Sequence, residues 1–164
     1  MSDTSAVIGT TASPTRPQDG SVSIGVAIPV PEPWAEDVRQ ARRSAGDPQA
    51  LVIPPHITLL PPTQVPARAL RRIRHHLTVA GGRHPAFTIA LRGTGTFRPV
   101  SPVVFLQVVQ GGDDCDQLQQ LVNQGILQRD LLFDYHPHVT LAHGVPDDAL
   151  EQVGQRMAEF SVTF

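Results

Sequence analysis

The same five-residue pattern, Pro-His-hydrophobic-Thr-Leu, occurs twice in this chain, at residues 55–59 and 137–141. Each copy contains a histidine, which can transfer a proton near neutral pH, and a threonine, which can donate a hydrogen bond. Together these residues could act as a general base, a general acid and two hydrogen-bond donors for one anionic substrate. We therefore predict a catalytic group of His56, Thr58, His138 and Thr140, with no metal ion and no other cofactor.

The alternation of polar and apolar residues in each motif predicts that the motif lies on a β-strand. Side chains alternate between the two faces of a strand, so His and Thr share one face of each copy. Ile57 and Leu59 share the other face in the first copy, and Val139 and Leu141 do so in the second. Buried strands with purely structural histidines are an alternative, but the residues able to do chemistry repeat as faithfully as the apolar ones.

The elements around the two motifs repeat in the same order. Apolar segments predict four further strands, at residues 21–28, 87–91, 103–109 and 160–164. Apolar residues at helical spacing predict a helix before and after each motif. Both Ser21 to His56 and Val103 to His138 are intervals of 35 positions. The sequence therefore predicts two β-α-β-α-β halves, each with one motif on its middle strand.

These halves predict the domain organisation. Residues 1–20 are rich in Ser, Thr, Pro and Gly without periodicity, and we predict a disordered tail there. Residues 21–164 are predicted to form a single bilobal domain, with one lobe at about residues 21–97 and the other at about 103–164. Because the last strand ends with the chain, we expect the natural protein to continue for a further strand or hairpin.

The composition limits the possible partners and location. A formal net charge of −2 argues against binding of long duplex nucleic acid, which usually requires a strongly basic face. The single cysteine, Cys115, cannot form an internal disulfide and fits a reducing compartment. No apolar run is long enough to span a membrane, and the N-terminus lacks a signal-peptide pattern. We expect a cytoplasmic monomer without a membrane partner.

With these motifs, the chain resembles the 2H phosphoesterase superfamily, in particular the RNA 2′,3′-cyclic phosphodiesterases known as 2′-5′ RNA ligase-like proteins. The resemblance covers about residues 21–164 and is supported by the segment Gly95-Thr96-Phe97-Arg98-Pro99 before an apolar strand. It implies an α+β fold in which two antiparallel sheets form a central cleft, with helices outside and both His-Thr pairs inside. It also implies hydrolysis of a phosphodiester, often a 2′,3′-cyclic phosphate, on a small cyclic nucleotide or an RNA terminus.

Three residues outside the motifs are candidate substrate contacts. Arg98 follows Phe97 in a predicted loop and could contact phosphate or have a structural role. Tyr135 precedes the second motif and could stack on a base or close the core. His143 stands where many ligase-like relatives carry an arginine that can contact phosphate. Histidine lacks the fixed fork and permanent charge of arginine, so the identity of the phosphate anchor is open.

Two other groups of residues have competing interpretations. His136, His138 and His143 could bind a metal ion, since His-x-His on a strand presents two ligands on one face. However, no carboxylate has metal-hydrolase spacing with them. The predicted helix that includes residues 68–76 is locally basic and could guide an RNA end, although a solvated face opposite an apolar stripe is the favoured interpretation.

Three functions remain compatible with the motifs. The leading hypothesis is a metal-independent cyclic phosphodiesterase that acts on RNA ends or small nucleotides. A 2′-5′ RNA ligase or phosphodiesterase would use the same chemistry, because an enzyme that opens such a bond can in principle close it. A non-catalytic nucleotide- or RNA-binding module would keep the cleft, but it would not need both proton carriers.

Overall fold

The computed structural model describes residues 20–164, so the predicted tail, apart from Gly20, lies outside the described residues. Within this range the chain forms six strands: β1 (Ser21–Pro29), β2 (His56–Pro66), β3 (Ala90–Thr96), β4 (Val103–Gln110), β5 (His138–His143) and β6 (Ser161–Thr163). The same range contains four helices: α1 (Trp34–Ser44), α2 (Leu70–Gly82), α3 (Gly112–Val122) and α4 (Asp147–Arg156). None of these helices is long and apolar enough to cross a membrane.

The strands form one sheet in the order β1-β2-β5-β4-β3-β6. The pairs β2–β5, β4–β5, β3–β4 and β3–β6 are antiparallel. The order of elements along the chain confirms an α+β fold with two successive β-α-β-α-β halves. The prediction of two separate sheets around a cleft is not confirmed. The two motif strands pair directly with each other, and this pairing joins the strands of both halves into one sheet.

The chain divides into two compact units, and each unit contains three segments. The first contains the described residues up to Ile28 together with Thr58–Phe87 and Asp113–His136, and the second contains Pro29–Ile57, Thr88–Gly112 and Pro137–Phe164. Each unit therefore combines segments from both halves of the sequence. The predicted lobes, in contrast, are the sequence halves themselves.

In the first unit, aliphatic side chains from β1, β2 and α2 form a common core. Ile24 and Val26 alternate on β1, and Ile73 comes from α2. On β2, Leu59 ends the first motif and Leu60 follows it. All five are almost inaccessible to solvent. Their burial, which is the main favourable term in folding, fixes the part of β2 that follows the motif.

In the second unit, α4 packs on β4 and β5, and α1 packs on β5 and α4. Val38 of α1 and Leu150 of α4 are fully buried, as are Ile57, Leu106 and Val139 on three neighbouring strands. Because strand residues alternate between faces, burial of these three residues leaves the opposite face of the same strands available for a site.

Strand β2 is longer than the sequence indicates. The prolines at positions 61 and 62 suggest that the strand ends there, but it continues to Pro66. Proline cannot donate a ladder hydrogen bond, yet its fixed φ is compatible with extended backbone. The two prolines therefore interrupt donation to a neighbouring strand without turning the chain.

Candidate active site

The pairing of β2 with β5 determines which motif side chains share a face. Ile57 is the antiparallel partner of Val139, and both are fully buried. In this register His56 lies opposite Thr140, and His138 is its diagonal neighbour. These three residues are half-buried on the face opposite Ile57 and Val139. Cβ atoms of diagonal neighbours are about 7 Å apart, so two imidazoles at such positions can reach one phosphate group.

The ring of His56 is oriented by a backbone carbonyl. Its Nδ1 atom lies 2.7 Å from the carbonyl oxygen of Pro54. Because a carbonyl can only accept a hydrogen bond, Nδ1 carries the hydrogen in this contact. The other nitrogen, Nε2, is therefore the proton acceptor of the neutral ring.

A buried ion pair holds the segment that leads into the first motif. Arg42 Nε lies 2.8 Å from Asp47 Oδ2, and both side chains are 5% exposed. Arg42 Nη1 also donates to the carbonyl of Ile53 at 2.7 Å. On the other side, the backbone N–H of Val30 donates to the carbonyl of Pro55 at 3.0 Å. These bonds fix the backbone before and after the carbonyl that orients the motif histidine.

Thr58 lies two residues after His56 on the same face of β2 and is half-buried. The Tyr135 hydroxyl donates to the backbone carbonyl of Thr58 at 3.0 Å. The Tyr135 ring packs against the core of the first unit, and burial raises the pKa of its hydroxyl, which therefore stays protonated as a donor. This contact gives Tyr135 a role in positioning β2, and stacking on a base stays a prediction.

His138 is packed against two phenylalanine rings. Its ring centroid lies 4.9 Å from that of Phe97 and 5.2 Å from that of Phe105, and the two phenylalanines are 4.4 Å apart. Gly95 makes this arrangement possible, because a Cβ atom at that position would lie 2.7 Å from the Phe105 ring. The three residues restrict the orientation of the catalytic candidate. The sequence did not predict this role for them, although Gly95 and Phe97 belong to the segment on which the family resemblance partly rested.

An extra residue in β5 places His143 on the face of His138. Thr140 and Ala142 pair with consecutive residues of β4, so Leu141 forms a β-bulge. Leu141 and Ala142 are both fully buried, and His143 after them is exposed. The bulge shifts the alternation by one position, so a residue five positions after the motif histidine returns to the same face. His143 thus shares the face of the second motif, and its contact with a substrate stays a prediction.

Arg98 is held by helix α4. Its Nη1 atom lies 3.6 Å from Asp147 Oδ1 and 3.7 Å from Glu151 Oε1. Both carboxylates are largely exposed, so solvent weakens each of these ion pairs. The guanidinium is therefore directed to the helix in this structure, and its predicted contact with phosphate stays a prediction.

The alternative of a metal site has no support in the described residues. Between residues 20 and 164, no three His, Cys, Asp or Glu side chains are close enough together to hold a metal ion. His136, which would have to supply one ligand, is exposed. The His-x-His pattern therefore does not by itself produce a group of ligands.

The family comparison covers both motifs and the strands between them. A model described as the 2′-5′ RNA ligase superfamily matches residues 29–164. The chain belongs to this superfamily. The resemblance inferred from the doubled motif is thereby confirmed, and it extends over most of the chain.

Relatives of the superfamily member described here occur in bacilli. The chain is 27% identical over 126 residues to a Bacillus cytotoxicus protein named putative phosphoesterase, and the match covers 77% of this chain and 72% of the relative. Proteins with the same name from Bacillus cereus strain G9842 and Bacillus thuringiensis strain Al Hakam are 26% and 25% identical over the same length. The similarity therefore concerns most of the domain and not a single motif.

Proposed function

We propose that this protein is a metal-independent phosphodiesterase that hydrolyses 2′,3′-cyclic phosphates of RNA ends or small nucleotides. The register of β2 and β5 carries this proposal, because it has His56 opposite Thr140 and diagonal to His138 on one half-buried face. Membership of the superfamily and the phosphoesterase names of the relatives support phosphoester chemistry.

The proposed reaction requires two proton transfers. One histidine accepts a proton from water while the water oxygen attacks phosphorus. The other histidine, in its protonated form, donates a proton to the ribose oxygen as the bond between that oxygen and phosphorus breaks. The products are a phosphate monoester and a free ribose hydroxyl, and proton exchange with solvent restores both histidines.

The threonines and His143 would hold the phosphate. The hydroxyl groups of Thr58 and Thr140 can donate to its non-bridging oxygens, where fixed donors stabilise the charge that is redistributed during the displacement. His143 can donate from the margin of the same face of β5. This arrangement assigns binding and proton transfer to different side chains, so the two functions can be tested separately.

The direct test is to incubate the full chain with a nucleoside 2′,3′-cyclic phosphate in EDTA. We expect turnover in EDTA, and we expect kcat/KM to fall by about 10²-fold to 10⁴-fold in His56→Ala and in His138→Ala, since each removes a proton carrier. The matched control is His136→Ala, which changes an exposed histidine outside the motif and should retain activity.

Three results would contradict parts of this proposal. Full activity in either motif variant would exclude the two-histidine mechanism. Loss of activity in EDTA with recovery on metal addition, together with loss in His136→Ala, would favour the metal site. Binding of the cyclic nucleotide without any cleavage would favour a binding module.

A second candidate, 2′-5′ RNA ligation, is favoured by the description of the superfamily. In ligation the 5′-hydroxyl of a second RNA replaces water as the nucleophile, and the same two proton transfers apply. The test is to supply an RNA with a 2′,3′-cyclic phosphate end and an RNA with a 5′-hydroxyl end. A joined product that resists nucleases specific for 3′-5′ linkages would support the ligase.

A further inference from the structure

A shallow pocket with a basic lining lies in the first compact unit, beside helix α2. It has a volume of about 640 Å³, and its wall includes Arg71, Arg72, His75 and His76 of α2 and Ile126 of the turn after α3. None of these residues belongs to the motif strands. The pocket is therefore separate from the candidate active site.

Helical spacing groups the basic side chains of the pocket. Arg71 and His75 are four residues apart, as are Arg72 and His76, so the two pairs form neighbouring rows on one face of α2. His76 is fixed, because its Nε2 atom lies 3.0 Å from the carbonyl oxygen of Val122. The arginines are exposed and can extend towards a ligand.

The positive charge on this face is not neutralised within the described part of the protein. Helix α2 contains no acidic residue. No carboxylate between residues 20 and 164 forms a salt bridge with Arg68, in the turn just before this helix, or with Arg71, Arg72 and Arg74 in the helix. In contrast, Arg39, Arg42 and Arg43 of helix α1 are all paired with carboxylates. Four uncompensated charges in a chain of net charge −2 mark a local site for an anion.

We propose that this basic pocket binds the phosphodiester backbone of single-stranded RNA. Guanidinium groups can form two parallel hydrogen bonds to phosphate, and imidazole rings can stack on unpaired bases. The apolar side chains of Val79 and Ile126 in the pocket offer a surface for a ribose or base. A merely solvated helix face does not account for a concave wall that combines unpaired arginines, imidazoles and apolar groups.

This inference rests on the proposed function for the choice of RNA as the polyanion, and it deepens that proposal. It implies that the preferred substrate is an RNA chain and not a free cyclic mononucleotide. Single-stranded RNA is the form that fits, because the pocket is small and the acidic remainder of the chain disfavours a long duplex.

Binding can be measured without catalysis by using a fluorescent single-stranded RNA of about ten nucleotides with a 3′-hydroxyl end. We expect Arg71→Gln/Arg72→Gln in the full chain to weaken this binding on the order of tenfold at low salt. The logarithm of the binding constant should also depend less steeply on the logarithm of salt concentration, by about 1.4 in slope, because two phosphate contacts are lost. The charge-matched control is Arg83→Gln/Arg92→Gln, which changes two exposed arginines outside the pocket.

A second measurement separates RNA binding from chemistry. With a 2′,3′-cyclic phosphate on the same RNA, KM should rise in Arg71→Gln/Arg72→Gln while kcat changes little. With a cyclic mononucleotide, both constants should stay close to those of the wild-type protein. Circular dichroism and thermal unfolding of both double variants provide the check on folding.

The outcomes distinguish this inference from the proposed function. Equal weakening of RNA binding in both double variants, or no weakening in either, would overturn the proposal that this pocket binds RNA. Binding of polyglutamate or of anionic phospholipid vesicles in preference to RNA would overturn the choice of ligand. If RNA binding depends on the pocket but no cyclic phosphate is hydrolysed, the proposed hydrolysis is refuted and the proposal of RNA binding at the pocket stands.

Discussion

The two motif histidines are held in different ways. His56 is oriented through a hydrogen bond to the carbonyl of Pro54, whereas His138 is packed against the rings of Phe97 and Phe105. A hydrogen bond selects one ring nitrogen, and ring packing restricts rotation. A nearly symmetric pair of motifs therefore has chemically different surroundings, and substitutions around each histidine have different expected effects.

Gly95→Ala tests the packing around His138. The added Cβ would lie 2.7 Å from the Phe105 ring, so this ring has to move. We expect kcat to fall while KM for a cyclic mononucleotide changes less, because the proton carrier is displaced and the phosphate donors remain. The control is Gly81→Ala in helix α2, where an added Cβ has no neighbour within 4 Å. If kcat is unchanged in Gly95→Ala, the packing of Phe97 and Phe105 against His138 does not contribute to catalysis.

Thr140→Val tests the phosphate donor of the second motif. Valine keeps the shape of threonine but cannot donate, so we expect kcat/KM to fall by about 10²-fold, in the range seen for loss of one such donor. Thr163→Val at the exposed end of β6 serves as the matched control. If both variants hydrolyse the cyclic phosphate equally well, the Thr140 hydroxyl does not contact the substrate.

Cys115 predicts a loss of stability at alkaline pH. Burial raises the pKa of this thiol from 9.0 to about 11, and the side chain is fully inaccessible. Above pH 9 the unfolded chain loses the proton while the folded chain retains it, so the free energy of unfolding should fall by about 2 to 3 kcal/mol between pH 9 and pH 11. Urea unfolding of the wild-type protein and Cys115→Ala at both pH values measures this, since the variant should lack this part of the fall.

At the scale of elements, alternation and spacing were sufficient to predict the motif strands and the order of strands and helices. Strands β1 and β4 begin at the predicted residues, Ser21 and Val103. The direct pairing of β2 with β5 was not predicted, because strand pairing depends on contacts between residues far apart in the sequence. The bulge at Leu141 and the ring packing around His138 were missed for the same reason. Each depends on a neighbouring strand that local periodicity does not identify.

Arg42→Ala tests the support of the first motif by helix α1. Removal of the guanidinium leaves the Asp47 carboxylate buried without its partner, and such losses cost about 3 to 5 kcal/mol of stability. Arg43→Ala, one residue later, removes an exposed pair with Glu36 and should cost much less stability, because solvent screens this pair. Urea denaturation of both variants gives the comparison. Similar small losses in both would show that the Arg42 pair does not hold the segment before His56.

At the scale of the whole molecule, each compact unit is made of segments that are distant in the sequence. The core of the first unit includes Val122 and Leu127, which come long after β1 and β2 in the chain. A fragment that ends at residue 97 would lack these side chains and would expose the apolar residues packed against them. The two sequence halves are therefore not expected to be independent folding units.

This expectation can be measured with separate fragments. We expect residues 20–97 and 98–164, each expressed alone, to lack a cooperative thermal transition, because each has only part of either core. The full chain should show one. A fragment with native-like circular dichroism and a sharp transition would show that a predicted lobe folds by itself.

The bulge in β5 amounts to one extra residue on the packed side of the strand. Deletion of Leu141 would restore simple alternation, with Ala142 still on the packed side and His143 still on the side of His138. Such a deletion would remove a fully buried leucine side chain from the core and would bring His143 one residue closer to Thr140 along the strand. The extra residue therefore sets how far His143 lies from the motif, and a change in chain length here alters that distance without changing which side chains share a face.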